Sequence, residues 1–166
     1  MGLPMTRPVT LESLFGRPSA GFEEPFGMLE ACHERIQRTL VLLQRLRAHL
    51  RQHGADEQAR QAAGDVIRYF DRAAPEHHRD EELHVFPPLL ASGDPAVAAL
   101  VNRLVEEHRE MERRWTAARQ VLDAVVAGNA ALQPEDETAL DAFEGLYAAH
   151  LRAEDDRAYA AARTSI

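Results

Sequence analysis

Five histidines in this chain are followed, four residues later, by a glutamate, and three of these pairs fall on apolar helix faces: His77 and Glu81, His108 and Glu112, His150 and Glu154. A further histidine, His33, stands among Leu29, Ile36 and Leu40. Residues four apart on an α-helix sit one turn apart on the same face. Imidazole nitrogen and carboxylate oxygen are the donors that hold iron, zinc and other first-row metals. Facing a common interior, these seven side chains are a metal site. Facing solvent, they are surface ion pairs of small worth. The run "HHRDEELHVFPPLL" poses the choice most sharply, since it sets histidines and acids beside Val85, Phe86 and Leu89.

The elements that must position them read as four helices. The first is expected from about Pro25 to Gln52, with the apolar stripe Leu29, Ile36, Leu40 and Leu43, and it stops at Gly54. The second runs from near Asp56 to about Leu90, with Val66, Ile67, Phe70 and Ala74 inward and Pro75 inside it. Pro75 deletes a backbone donor, so a kink or a break just before His77 is expected there. "SGDPAV" supplies a stop glycine, an aspartate cap and Pro95 at the first helical position. The third helix then carries Val97, Val101, Leu104, Met111, Trp115, Leu122 and Val126 to Gly128. Pro134 opens the fourth, with Leu140, Phe143, Leu146, Tyr147, Ala158 and Ala161, reaching about Arg163. Residues 1–24 hold Pro4, Pro8 and Pro18 and read as an N-terminal extended arm, with one short helical turn at "LESLF". No strand candidate survives, and the connections are short. The expected fold is all-α, an up-down-up-down antiparallel four-helix bundle over residues 25–166.

His33, His77, His108 and His150 each fall within an apolar stripe. In an antiparallel bundle, residues equally far from a shared turn lie at one height. His33 and His77 are about 20 and 22 residues either side of the turn at 54–55, roughly 30–33 Å at about 1.5 Å per residue. His77 and His108 are each about 15 residues from the turn at Ser92–Gly93, and His108 and His150 about 20 and 17 from the third. All four meet in one layer. Burying four imidazoles and three carboxylates without a compensating partner is prohibitively costly. A metal resolves this, because neutral imidazoles donate nitrogen and the carboxylates offset the cation's charge.

The bulk composition narrows the partners. With 19 basic residues against 27 acidic the net charge is −8, which argues against nucleic acid and anionic membrane. The one cysteine, Cys32, allows no intrachain disulfide, and a cytoplasmic location is expected. No apolar run reaches membrane-spanning length.

One His on the first helix, His-x-x-x-Glu on the second, His on the third and His-x-x-x-carboxylate on the fourth resembles the hemerythrin-like (HHE cation-binding) family. "HHRDEELHVFPPLL" is similar to that family's second-helix signature, an HHxxEE run leading into Phe-Pro. The resemblance covers about residues 26–160. It implies a non-haem di-iron centre, two iron ions joined by an oxo or hydroxo bridge and by two carboxylates. His33, His77, His108 and His150 would be terminal ligands, and Glu81 and Glu154 the bridges. Oxygen-carrying hemerythrins place a second third-helix histidine where this chain has Glu112, and a fourth-helix Asp five residues on where this chain has Glu154 at four. With Glu112 as a seventh donor, the added anionic oxygen favours the ferric state, which counts against reversible oxygen carriage. The implied function is to bind, reduce or sense dioxygen, hydrogen peroxide or nitric oxide, with weak peroxide-reducing or catalase-like activity left open. The alternatives are an iron-handling or storage module and an interaction domain with a structural metal. The iron–sulfur repair di-iron proteins share the ligand series but carry a paired-cysteine N-terminal segment that this sequence lacks.

Other titratable residues are set aside. His78 with Glu82 reads as a surface pair, rotated about 100° off the core face. His53 with Glu57 straddles Gly54. His49 and His53 are expected at the far turn, His84 either behind the ligands or at the solvent edge of the layer, and Cys32 off the ligand face. Gln37 takes the slot one turn after His33.

Overall fold

The computed structural model describes residues 23–129 and 131–164. Helix α1 is Glu23–His53. Helix α2 is α-helical over Glu57–Asp80, takes a π-helical turn over Glu81–Val85 and resumes over Phe86–Ala91. Helix α3 is Pro95–Val126. Helix α4 is Pro134–Ala153, a second π-helical turn over Glu154–Ala158, and Tyr159–Thr164. Each helix packs against the next in sequence, and α1 also meets α4, so the architecture is a four-helix bundle with no strand among the described residues. The helix expected to open near Pro25 starts at Glu23, and the "LESLF" turn lies outside the described residues.

The turns are set by local chemistry. Gly54, Gly93 and Gly128 all adopt positive φ, the left-handed conformation that ends a helix without a Cβ penalty. Asp56 accepts the Ala59 amide at 2.9 Å, Asp94 accepts that of Ala96 at 2.9 Å, and Gln133 and Asp136 form a reciprocal capping box. Pro95 and Pro134 occupy first-turn positions where no amide hydrogen is needed. Pro75 does not end α2, which continues through it as α-helix to Asp80.

The apolar interior is in two parts. One, including Ile36, Leu43, Phe70, Leu122, Phe143 and Tyr147, fills the end of the bundle near Gly54 and Gly128. The other, including Leu29, Phe86, Leu89, Leu104 and Tyr159, fills the end near Gly93. Between them lies a buried polar layer of His33, His77, His78, Glu81, His108, His150 and Glu154.

Candidate metal centre

His33 and His77 bring their Nε2 atoms to 3.0 Å of each other, and His108 and His150 bring theirs to 3.1 Å. Between the two pairs stand Glu81 and Glu154, both with 0% exposure. Each carboxylate turns one oxygen to each pair. Glu81 Oε1 is 2.9 Å from His77 Nε2, and its Oε2 is 3.2 Å from His108 Nε2. Glu154 Oε2 is 3.0 Å from His33 Nε2, and its Oε1 is 2.6 Å from His150 Nε2. Two groups of four donors result, His33–His77–Glu81–Glu154 and Glu81–His108–His150–Glu154, and they share the two glutamates.

A cation fits this arrangement better than protons do. Two ligands at about 2.1 Å from one ion, at right angles, lie about 3.0 Å apart. That is the spacing within each histidine pair. Glu81 Oε2 and both oxygens of Glu154 are buried without a hydrogen bond of acceptable geometry, so lone pairs converge where a positive charge is needed. Burial alone would raise the Glu81 pKa, but His108, His33 and His77 outweigh it and hold it well below the carboxylate range. The same balance runs the other way on the imidazoles. Burial lowers the His33 and His108 pKa values, yet Glu154 and Glu81 lift both to about 10.

The outer nitrogens are anchored as well. His33 Nδ1 donates to Asp155 at 2.7 Å, His108 Nδ1 to Glu82 at 2.8 Å, and His150 Nδ1 to Glu107 at 2.7 Å. A carboxylate behind the ring fixes the tautomer, points Nε2 inward and raises its basicity. His77 Nδ1 has no such partner. The group against its ring is the Cys32 thiol, whose pKa His77 lowers.

These contacts reveal an internal correspondence. "HHRDEELHVF" at 77–86 and "HLRAEDDRAY" at 150–159 align as His, Arg, Glu, an acid and an aromatic at identical spacing. Glu82 and Asp155, each next to a central glutamate, reach across to His108 and His33. Glu107 and Cys32 each precede the histidine of the opposite helix and meet His150 and His77. After each central glutamate the helix makes an i→i+5 bond, with the Phe86 amide donating to Glu81 and the Tyr159 amide to Glu154. Such π turns add a residue to the coil and gather at functional sites. Here they swing Phe86 and Tyr159 onto the layer. Phe86 stacks on His108 at 5.8 Å and Tyr159 on His33 at 5.0 Å.

The structure thus brings six of the seven sequence-predicted donors together and leaves out Glu112. Its side chain is 56% exposed, with Arg109 at 3.7 Å. The reason is heptad phase: buried positions on a packed helix alternate steps of three and four. His77 comes three after Ala74, and His150 three after Tyr147, so the next inward step is four, to Glu81 and Glu154. His108 comes four after Leu104, so the next step is three, to buried Met111. Glu112 falls beyond it.

His78 is the opposite correction. Expected at the surface, it is only 6% exposed and stacks on His108 at 4.0 Å with 11° between the rings. Burial and neighbouring His108 hold it neutral, with a pKa pushed down to about 2. Glu82 is accordingly not its partner. Sequence reasoning also passed over Tyr159, which is fully buried and donates its hydroxyl hydrogen to Glu81 Oε1. The ten-residue correspondence, Tyr159 against Phe86, was the available signal. His53 and His84 are exposed, as is Gln37, and His49 pairs with Asp56 at 2.8 Å near the far turn.

A helical bundle whose interior holds four histidines around two shared carboxylates defines a metal-binding protein of the hemerythrin type. The profile of the hemerythrin HHE cation-binding domain matches residues 24–162, and the chain belongs to that family. It is also 30% identical over 136 residues to an uncharacterised protein of Haemophilus influenzae, covering 82% of this chain and 77% of the relative. No helix among the described residues is long and apolar enough to cross a membrane.

Proposed function

We propose that this chain holds two iron ions and uses them to bind or reduce a small oxidant: dioxygen, hydrogen peroxide or nitric oxide. The observation that carries the reading is the pair of four-donor groups sharing Glu81 and Glu154. His33 and His77 would serve one ion, His108 and His150 the other. Bound there, a pair of irons would supply electrons to the oxidant and take them back from a reductant. The protein's own part is to hold His33, His108 and His150 in one tautomer through Asp155, Glu82 and Glu107, and to shut out bulk water with the apolar packing on either side.

The scale of the approach favours a small molecule over passive storage. A crevice of about 20 Å³ is lined by Glu112, Trp115, Met111, His78 and Tyr147. It has room for about one water-sized molecule. With Glu112 outside the layer, the donors number four histidines and two glutamates, a less anionic set than the sequence suggested. The ferric preference expected from a third carboxylate loses its basis, and reversible binding and reduction both stand as outcomes of the experiment.

That experiment is metal analysis of protein from iron-supplied cells, followed by stopped-flow absorbance of the reduced protein mixed with each oxidant. About two irons per chain and a rapid spectral change are expected. One zinc per chain after growth in ample iron, or a reduced protein inert to all three oxidants, would overturn the reading.

A further inference from the structure

One residue that lines the crevice, His78, is a histidine that is none of the six converging donors. His78 Nε2 lies 2.9 Å from the Tyr147 hydroxyl, and its Nδ1 is buried with no partner. A ring nitrogen of His78 lies within 4.8 Å of the donor atoms of His108 and His150. The tautomer follows from the phenol. Tyr147 is buried, and among the described residues His78 is the one hydrogen-bonding partner of its hydroxyl. A buried hydroxyl must place its hydrogen on an acceptor, so Nε2 accepts it. The ring's own hydrogen then sits on Nδ1.

We propose that His78 Nδ1–H is the recognition group for an exogenous ligand, binding the acceptor atom of a small anion or polar diatomic that enters by the crevice and docks beside His108 and His150. Tyr147 is a positioning residue that fixes the His78 tautomer. The corresponding place in the other half is Leu151, which offers no donor. The two halves are therefore inequivalent, and ligand docks on the His108–His150 side. The proposal rests on the di-metal reading above.

Azide is a suitable probe, because it is small, anionic and an acceptor at both ends. Its affinity for the iron-loaded, oxidised protein is measured by titration, and its stretching frequency is compared in H₂O and D₂O. The unmodified protein is expected to show an isotope shift in that frequency. His78→Leu, which copies Leu151, should keep both metals, weaken azide roughly tenfold or more and abolish the isotope shift. Tyr147→Phe should keep both metals, weaken azide less and diminish the shift, since the ring can then adopt either tautomer. Full metal content with unchanged azide affinity and isotope shift in both variants would overturn the proposal alone. Loss of one metal in His78→Leu would also overturn it, by making His78 a ligand. If His78→Leu fails to fold, Tyr147→Phe decides by the same two readouts. Fewer than two metals in the unmodified protein would instead sink the di-metal reading, and this proposal with it.

Discussion

Tyr159 occupies, in one half of the metal layer, the place that Phe86 occupies in the other. Each lies five residues after a central glutamate, each is delivered by a π turn, and each stacks on a histidine of a neighbouring helix. The difference is one hydroxyl, which donates to Glu81 Oε1 and lies 3.1 Å from His33 Nε2. Tyr159→Phe makes the halves alike at this point. A buried hydrogen bond to a charged acceptor is worth about 1.5–3 kcal/mol. Metal-stripped Tyr159→Phe should lose about that much stability in urea unfolding. An undiminished midpoint would mean that the hydroxyl contributes nothing to holding Glu81.

Glu112 and Glu154 both follow a histidine by four, yet one is largely exposed and the other fully buried. Glu112→Ala should leave metal content unchanged and alter stability by no more than about 0.5 kcal/mol, as surface changes do. Glu154→Ala removes a donor shared by both groups and should empty the site of both metals. Quantitative metal analysis of the two purified variants is the check, and loss of metal from Glu112→Ala would restore it to the donor set.

The carboxylates behind the imidazoles should be felt as affinity. Asp155→Asn and Glu82→Gln each weaken the hold on a ligating ring, and a loss of roughly 10–100-fold in metal affinity is expected by chelator competition. Cys32→Asp would give His77 the anionic partner that its three counterparts possess. Metal should then leave the His33–His77 half more slowly than in the unmodified protein. Faster loss would show that the thiol itself, rather than the lack of a carboxylate, is what this position requires.

Metal-stripped and metal-loaded protein should respond oppositely to pH. Burial lowers and the glutamates raise the histidine pKa values, and the net result is about 10 for His33 and His108 and about 9 for His77, against an ordinary 6.5. A raised pKa stabilises the fold fully below about 6.5 and ceases to do so as pH climbs through 9–10. The stripped protein should therefore lose roughly 3–5 °C in Tm per pH unit for each proton released across that window. Metal binding displaces the same protons, so affinity should rise over the range in which the stripped fold weakens. Calorimetric scans from pH 6 to 10, with and without metal, would show it. A flat stripped profile would count against protonated histidines as the counter-charge.

The helices, their ends and the common height of the four histidines were legible because helical period, capping residues and turn glycines are local signals. His33, His77, His108 and His150 could be placed from spacing alone. Glu112 was misplaced because a four-residue interval was read without its heptad phase, although Leu104 four residues before His108 already carried that information. His78 was misplaced for another reason. A position about 100° from one ligand is exposed on an isolated helix, but in a four-sided interior it can face a second neighbour, here His108 and Tyr147. The π turns were hidden altogether, since a wheel drawn at constant pitch cannot register an added residue. Restarting the wheel after Glu81 and Glu154 is what brings Phe86 and Tyr159 inward.

The polar layer divides the bundle's interior into two apolar blocks, and this has a mechanical consequence. Residues such as Phe70 and Phe143 on one side, and Leu89 and Leu104 on the other, are joined across the layer by backbone and charged side chains rather than by continuous greasy packing. The layer is a joint, and a cation clamped in it is the rivet. With the rivet in place the two blocks must open together. Once it is withdrawn, amide hydrogen exchange should resolve two separately breathing units, with the end near Gly93 the looser because its block is the smaller.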